Sequence, residues 1–262
     1  MKDITKTYFK KLKCIIIQSP IEVLDDDLCE SVFYKLIKLK VDGFNIIGSK
    51  YLAIDQNDFL GTHIVLCEEV EDELRVLMSF KIMSEDLALH WNIPFSGRDV
   101  VKKSESELHI IAVEDYIKRC QDKGRKIAYP GSMTMCPSIK DPSERTEIIK
   151  IFQALLTFYH KEIYPSVSIC VARDRVRSEF FLREMGFSEL SFGGQVVPPV
   201  LLPQYRNEPF KIMVVEDYFS LHALRMMKTY EELIYNTVEI FRDSGTVKKK
   251  QVLQSDLSKS SA

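Results

Sequence analysis

Two carboxylates stand three positions apart in the run Asp55-Gln56-Asn57-Asp58, and His63 follows a little further on. On a loop, that spacing lets the acids bind an ammonium group or orient a water, and a histidine can collect a proton near neutral pH. The same residues also fit a plainer arrangement, in which the acids cap turns and His63 is a strand residue. Arg145 invites a second reading. At the start of a helix its guanidinium and the free backbone N–H groups could contact a phosphate, or it could pair with Asp141 or Glu144 at the surface. Cys136 has no His or Asp in a recognisable relation to it and reads as a packed thiol. The five histidines never join cysteines or acids at ligand spacing, so no metal site is expected.

The elements that must position these groups follow from the spacing of apolar residues. Cys14-Ile15-Ile16-Ile17 suits a strand, and Asp25 to Asp27 supply first-turn acids for a helix with Leu28, Val32, Leu36 and Leu39 on one face and Gly43 as its stop. Thr62 to Cys67 reads as a strand, and Leu74, Val76, Met78, Phe80 and Ile82 alternate as a second, half-buried one. Glu68 to Glu73 joins them without the glycine of a tight turn. Ser104 and Glu107 form a capping box for a helix carrying Leu108, Ile111, Ala112 and Ile117 and closed by Gly124. Ser132 to Cys136 is a strand, followed by a deeply buried helix through Ile148, Phe152, Leu155 and Tyr159. Val167 to Val171 is another strand, after which Asp174 caps a short helix with Val176, Phe180 and Phe181. Beyond a Pro- and Gly-rich loop from Gly193 to Pro209, Phe210 to Val215 is the last strand. A long helix then runs through Leu221, Leu224, Leu233, Val238 and Phe241.

With 262 residues, 45% hydrophobic and 28% charged, the chain can bury a full core. One α/β domain over residues 1–245 is expected, with 246–262 a flexible Lys- and Ser-rich tail. Lys plus Arg number 36 against 38 Asp plus Glu, which gives no reason to expect nucleic-acid binding. The six cysteines are scattered without a CxxC pair, and no signal-peptide order or membrane-length apolar run appears, so a reduced, cytoplasmic protein is expected.

The second half, a strand, a buried helix, a strand and a short helix ending in Arg183-Glu184-Met185-Gly186-Phe187, resembles the Gcn5-related N-acetyltransferase superfamily. The Asp55 to Asp58 segment with His63 narrows the resemblance to the acyl-homoserine-lactone synthases and N-acyl amino acid synthases of that fold. Lys38 falls where this branch carries an arginine, and Pro203-Gln204-Tyr205-Arg206 is similar in character to a loop of the N-acyl amino acid synthases. The resemblance implies a mixed α+β acyltransferase fold with a central mixed sheet, two splayed strands and flanking helices, plus an extra C-terminal helix. It implies transfer of an acyl group from a thioester to the amine of an amino acid or small amine, with acyl-CoA or an acyl carrier protein as donor and no tightly bound cofactor.

Under that resemblance Asp55, Asp58 and His63 are the catalytic candidates. Met133, Thr134, Met135 and Cys136 would hold the thioester by backbone groups, Arg145 and Thr146 would meet its phosphate, and Lys38, Phe152 and Phe181 would line the substrate. The two phenylalanines also fit ordinary core. Three features depart from the family pattern. Arg145 to Lys150 keeps the arginine of the Gln/Arg-x-x-Gly-x-Gly/Ala loop but neither glycine, so side chains would stand where backbone should approach phosphate. Leu182 replaces the tyrosine that protonates the leaving thiolate. Pro130-Gly131-Ser132-Met133 keeps only the serine of the synthases' Glu-x-Ser-Arg segment. Two alternatives stay open: an acetyl-CoA-dependent N-acetyltransferase with an unusual loop, and a catalytically degenerate domain that serves as a binding module.

Overall fold

Asp26 sets where the first long helix begins, because its Oδ1 accepts the backbone N–H groups of Leu28 at 3.1 Å and Cys29 at 3.0 Å. The computed structural model describes residues 11–47, 54–173, 178–203, 208–216 and 220–252. In chain order it opens with β1 (Leu12–Gln18), α1 (Pro20–Val23), α2 (Asp27–Ile47), α3 (Gln56–Leu60), β2 (Thr62–Val70) and β3 (Glu73–Ser84). The middle of the chain forms α4 (Glu85–His90), α5 (Ser96–Lys102), α6 (Glu107–Asp122), β4 (Ile127–Met135) and α7 (Pro142–Phe158), which runs on into a π-helical turn, Tyr159–Ile163. Then come β5 (Val167–Arg173), α8 (Ser178–Glu184), β6 (Ser188–Glu189), β7 (Ser191–Phe192), β8 (Gln195–Val196), β9 (Val200–Leu202) and β10 (Glu208–Val215). The chain closes with α9 (Leu221–Thr229), α10 (Glu231–Tyr235), β11 (Val238–Asp243) and β12 (Thr246–Gln251).

Two compact units result. The first draws on the chain up to Lys81, on Ser132–Ile148 and on the chain from Thr229; the second is Ile82–Gly131 with Ile149–Lys228. In the first, β1 lies antiparallel to β2, with Ile15 opposite Val65 and Ile17 opposite His63, and parallel to β11, with Ile17 opposite Ile240. Strand β12 pairs antiparallel with β11. The inward faces of these strands, Ile15, Ile17, Val65, Cys67, Val76 and Ile240, meet Val32, Phe33, Leu36 and Leu39 of α2. Each such side chain contributes about 1.5–3 kcal/mol on burial, so this packing fixes α2 against the strands.

In the second unit β5 pairs antiparallel with β10 from Arg173↔Phe210 to Ser168↔Val215, and β10 also carries β6 and β9. Strand β4 is parallel to β5, with a register of only Ile127↔Val167 and Ala128↔Ser168. All of residues 151–160 are buried, on every side of α7 and into the π turn. Two polar members of that stretch find partners, His160 Nδ1 with Ser166 Oγ at 2.7 Å and Gln153 Nε2 donating to Glu184 Oε2 at 3.0 Å, while the buried Thr157 hydroxyl has none among the described residues.

Several expectations are corrected. Helix α2 does not stop at Gly43 but continues to Ile47. Helix α6 begins at Glu107 behind Ser106 rather than in a Ser104 capping box, and it is rotated, burying His109, Ala112, Val113, Tyr116 and Ile117 while Leu108 and Ile111 are exposed. Strand β3 is buried on both faces from Val76 to Ser84, which strand alternation alone does not reveal. The β2–β3 turn is tight despite lacking glycine, because Glu71 and Asp72 both take left-handed backbone, φ 51° and 64°. The stretch from Gly193 is not all loop: Gly193-Gly194 turns the β7–β8 hairpin, and β9 follows. The expected long C-terminal helix is two short helices, and Val238 and Phe241 belong to β11. Thr246–Gln251 of the expected tail is β12, brought back by the left-handed Ser244-Gly245 turn. Asp174, Val176 and Gln204-Tyr205-Arg206 lie outside the described residues.

Candidate functional site

Asp55 precedes α3 as its N-cap, and its backbone N–H donates to Asp58 Oδ2 at 2.9 Å. One turn into the helix, the Asp58 carboxylate is fully buried. Its Oδ1 is bonded by Lys40 Nζ from α2, and Lys81 Nζ from β3 lies 3.2 Å away. Lys81 Nζ also reaches Asp55 Oδ1 at 2.8 Å, and the Asp55 side chain is 60% exposed. His63, on β2, is buried, and its Nε2 lies 2.8 Å from the Asp58 carbonyl oxygen. A carbonyl only accepts, so that nitrogen carries the proton.

Two ammonium groups thus surround one buried carboxylate, and burial together with these neighbouring charges sets the protonation of Asp58, Lys40 and His63. Burial alone would raise the Asp58 carboxyl, but Lys81 and Lys40 hold it below the usual carboxylate range. Burial and the Lys81 charge hold the Lys40 ammonium below its ordinary value, against the attraction of Asp58. Burial lowers His63 to about 4, with Lys40 and Lys81 adding to the effect and Asp58 opposing it, so the ring is neutral at neutral pH. Its edge packs on Phe33, centroids 5.8 Å apart.

The structure therefore brings Asp55, Asp58 and His63 together, as their spacing suggests, and adds two lysines that sequence reasoning missed. Lys38 is not one of them: it is 65% exposed and pairs with Asp42 at 3.0 Å on the outer face of α2. Lys40 could have been found, because Cys29, Val32, Phe33, Leu36 and Lys40 form one helical stripe that is buried throughout. Lys81 had no such signal. Its place between Phe80 and Ile82 reads as the solvent face of a half-buried strand.

The other expected residues are dispersed. On β4, Met133 is exposed, Thr134 is buried, and Met135 and Cys136 are half-buried. Cys136 N–H donates to Leu77 O at 2.7 Å, and Ser132 takes φ 53°. Arg145 and Thr146 are exposed in the first turn of α7, where Thr146 Oγ1 donates to Pro142 O at 2.8 Å. The N–H groups of that turn are already met by the Asp141 carboxylate, from Ser143 at 3.3 Å and Glu144 at 3.4 Å. An incoming phosphate would face that carboxylate. Phe152 is buried in α7 and Phe181 half-buried in α8, both within the second unit. Among the described residues no group of three or more His, Cys, Asp or Glu could hold a metal, and no helix is long and apolar enough to cross a membrane.

No model of a known protein family matches the chain, and no curated protein sequence matches it. Solved structures do match. The CoA-dependent acyl-homoserine lactone synthase BjaI with SAM and isopentyl-CoA aligns at a TM-score of 0.52 and 10% identity, over 89% of this chain and 96% of that one. The same synthase with MTA gives a TM-score of 0.50 at 10% identity over the same shares, 89% and 96%. The N-acyl amino acid synthase FeeM from uncultured soil microbes gives 0.43 at 11% identity, over 78% of this chain and 91% of that one. The likeness to BjaI is one of fold: this chain has the mixed α/β acyl-CoA N-acyltransferase fold expected from its strand and helix order.

Proposed function

We propose that this chain transfers an acyl group from a thioester to an amine, with β4 as the acyl-binding strand and Asp55 as the anchor for the amine. The observation that carries the reading is that β4, in a chain of this fold, keeps its parallel register with β5 only at Ile127 and Ala128. Backbone N–H groups of the strand beyond that point are donors for the oxyanion that forms when an amine attacks the thioester carbonyl. The bound ammonium first gives one proton to solvent, the lone pair so freed forms the C–N bond, the C–S bond breaks, and the second proton lost from nitrogen neutralises the departing thiolate. Asp55 is the carboxylate suited to bind the ammonium, since it is 60% exposed and Lys81 occupies its Oδ1. Asp58 and His63 position it: Asp58 fixes the start of α3, and His63 holds the Asp58 carbonyl. His63 at about 4 is a weak base at neutral pH and is not the proton acceptor in this scheme.

The Asp141 cap on α7 favours a donor gripped by something other than its pyrophosphate, such as a carrier-protein thioester. It equally fits a domain that has lost catalysis, and one experiment separates the two. The protein is incubated with acyl-CoA and acyl carrier protein thioesters and pooled amines, and thiol release and product mass are followed. Asp55→Ala is expected to lower kcat/KM roughly tenfold to a hundredfold, the worth of a hydrogen bond to a charged group. Its stability should fall by only about 0.5–2 kcal/mol, the usual cost of replacing an aspartate N-cap by alanine. No turnover with any thioester would favour the binding-module reading.

A further inference from the structure

Helix α6 opens on a serine that does not act as a cap. Ser106 holds the N-cap position, where a hydroxyl ordinarily accepts an N–H of the first turn, yet it makes no such bond. Its Oγ lies 2.6 Å from His109 Nδ1 instead, and Nε2 of that ring lies 2.8 Å from the carbonyl oxygen of Pro198. A carbonyl only accepts, so in the neutral ring Nε2 carries the proton and Nδ1 is left bare to accept from the Ser106 hydroxyl. The ring is held in that order by the fold, since His109 is 6% exposed and Pro198 stands 89 residues further along the chain. Ser106 is only half-buried. A second serine–histidine contact in the same unit differs in the detail that matters. Ser166 Oγ meets His160 Nδ1 at 2.7 Å, but its hydroxyl donates to Tyr164 O at 2.9 Å and has no proton to pass to the ring. At Ser106 the proton points at the imidazole. Among the described residues the backbone N–H groups of Glu107, Leu108 and His109 have no acceptor, so donors for a developing oxyanion stand beside the hydroxyl.

We propose that Ser106 and His109 form a second reactive centre, a serine nucleophile with its base, which hydrolyses uncharged carboxylic esters. Nucleophile, base and a third group that orients the base are the parts such a centre requires, and here the Pro198 carbonyl is the third. Ser106 Oγ forms a bond to the ester carbonyl carbon as its proton passes to His109 Nδ1. The imidazolium then gives that proton to the departing alkoxide, and the ester C–O bond breaks. Water releases the acyl group from Ser106 by the same route, its proton again moving through Nδ1, so that ester and water become acid and alcohol. The substrate class follows from what surrounds the hydroxyl. Glu105 and Glu107 are exposed on either side of Ser106 and repel anions, whereas Leu108 and Ile111 are exposed on the same helix and offer apolar surface to a neutral ester.

The test applies a fluorophosphonate and p-nitrophenyl acetate to the full chain as wild type, Ser106→Ala and His109→Gln. Peptide mass locates the adduct, p-nitrophenolate release gives the rate, and thermal melts report folding. The wild type is expected to carry a single phosphonyl group on Ser106, with loss of fluoride, and to hydrolyse the acetate ester. Ser106→Ala should abolish the adduct and the hydrolysis. His109→Gln, whose amide still donates to Pro198 O, should slow both at least about a hundredfold, the lower end of what a general base contributes. Should that variant unfold, Ser106→Ala alone keeps the test decisive. A wild type that takes no label, a label on another residue, or hydrolysis that survives Ser106→Ala overturns the inference. So does a folded His109→Gln that reacts as fast as the wild type, since the contact would then be helix-end packing only. None of these results bears on transfer from thioesters to amines, in which Ser106 has no part.

Discussion

Asp58→Ala is expected to lower the unfolding free energy by about 3–5 kcal/mol, the usual cost of removing one partner from a buried ion pair. Lys40 is buried and Lys81 nearly so, and the remaining carboxylate, Asp55, is bonded to Lys81 alone. The alanine variant therefore leaves the buried Lys40 ammonium with no bonded counter-charge, only the more distant Asp55. Denaturant unfolding of three proteins checks this. Asp58→Ala alone should be strongly destabilised, while Asp58→Leu combined with Lys40→Met should recover most of the loss, since an apolar pair of similar volume replaces the ions without stranding either. A loss below about 1 kcal/mol in the single variant would mean that water reaches Lys40 freely. The consequence for enzymology is direct: inactivity of Asp58→Ala would report unfolding as readily as lost chemistry, and Asp55 is the residue whose replacement separates them.

Acid should unfold this protein well above the pH at which carboxylates titrate. His63 is held at about 4 and His160 at about 3 in the folded chain, both by burial. An unfolded histidine titrates near 6.5. Above that pH neither state binds the protons and nothing is lost. Below it the unfolded chain takes up two protons that the folded chain refuses, so stability falls as pH falls. The slope approaches about 2.7 kcal/mol per pH unit once both sites are protonated in the unfolded state. By pH 5 the sum is about 4 kcal/mol, a large part of the usual 5–15 kcal/mol of a folded domain. The lowered Asp58 carboxyl acts in the same sense further down, its contribution present above the unfolded carboxylate pKa and lost as pH falls through the folded one. Urea midpoints at a series of pH values should drop steeply between about pH 6 and 4, and His63→Gln should remove about half of the slope above pH 4. Midpoints that stay level down to pH 5 would show that these rings are protonated in the folded state.

The fold was legible where one face of an element is apolar and the other is not. The α2 stripe and the saturated apolar run of α7 both announce buried helices, and they are buried. What the sequence concealed are charges inside. Lys81 sits at a position that alternation assigns to solvent, and the Asp55 to Asp58 segment, brought over it by the fold, buries it there. The C-terminal region was misread because Val238, Phe241 and their neighbours suit two periods. Pairing with β1, distant in the chain, selects the strand, and local spacing carries no trace of that partner. At the candidate site, the acids and the histidine were visible by type and spacing. The protonation that decides what they can do depends on Lys40 and Lys81, contributed by separate elements.

Among the described residues β12 ends one side of the first unit's sheet, and an open edge offers unpaired backbone groups to any passing strand. Here that edge carries Lys248, Lys249 and Lys250 in succession, all exposed. A second copy docking edge to edge would set ammonium groups against one another on both faces of the joined sheet, which disfavours the pairing. The same lysines hold their own chain in place, Lys249 on Asp26 at 2.8 Å and Lys248 on Asp243. The outermost described strand thus carries a row of like charges that opposes fibre-like growth of a β-branched sheet past its last member.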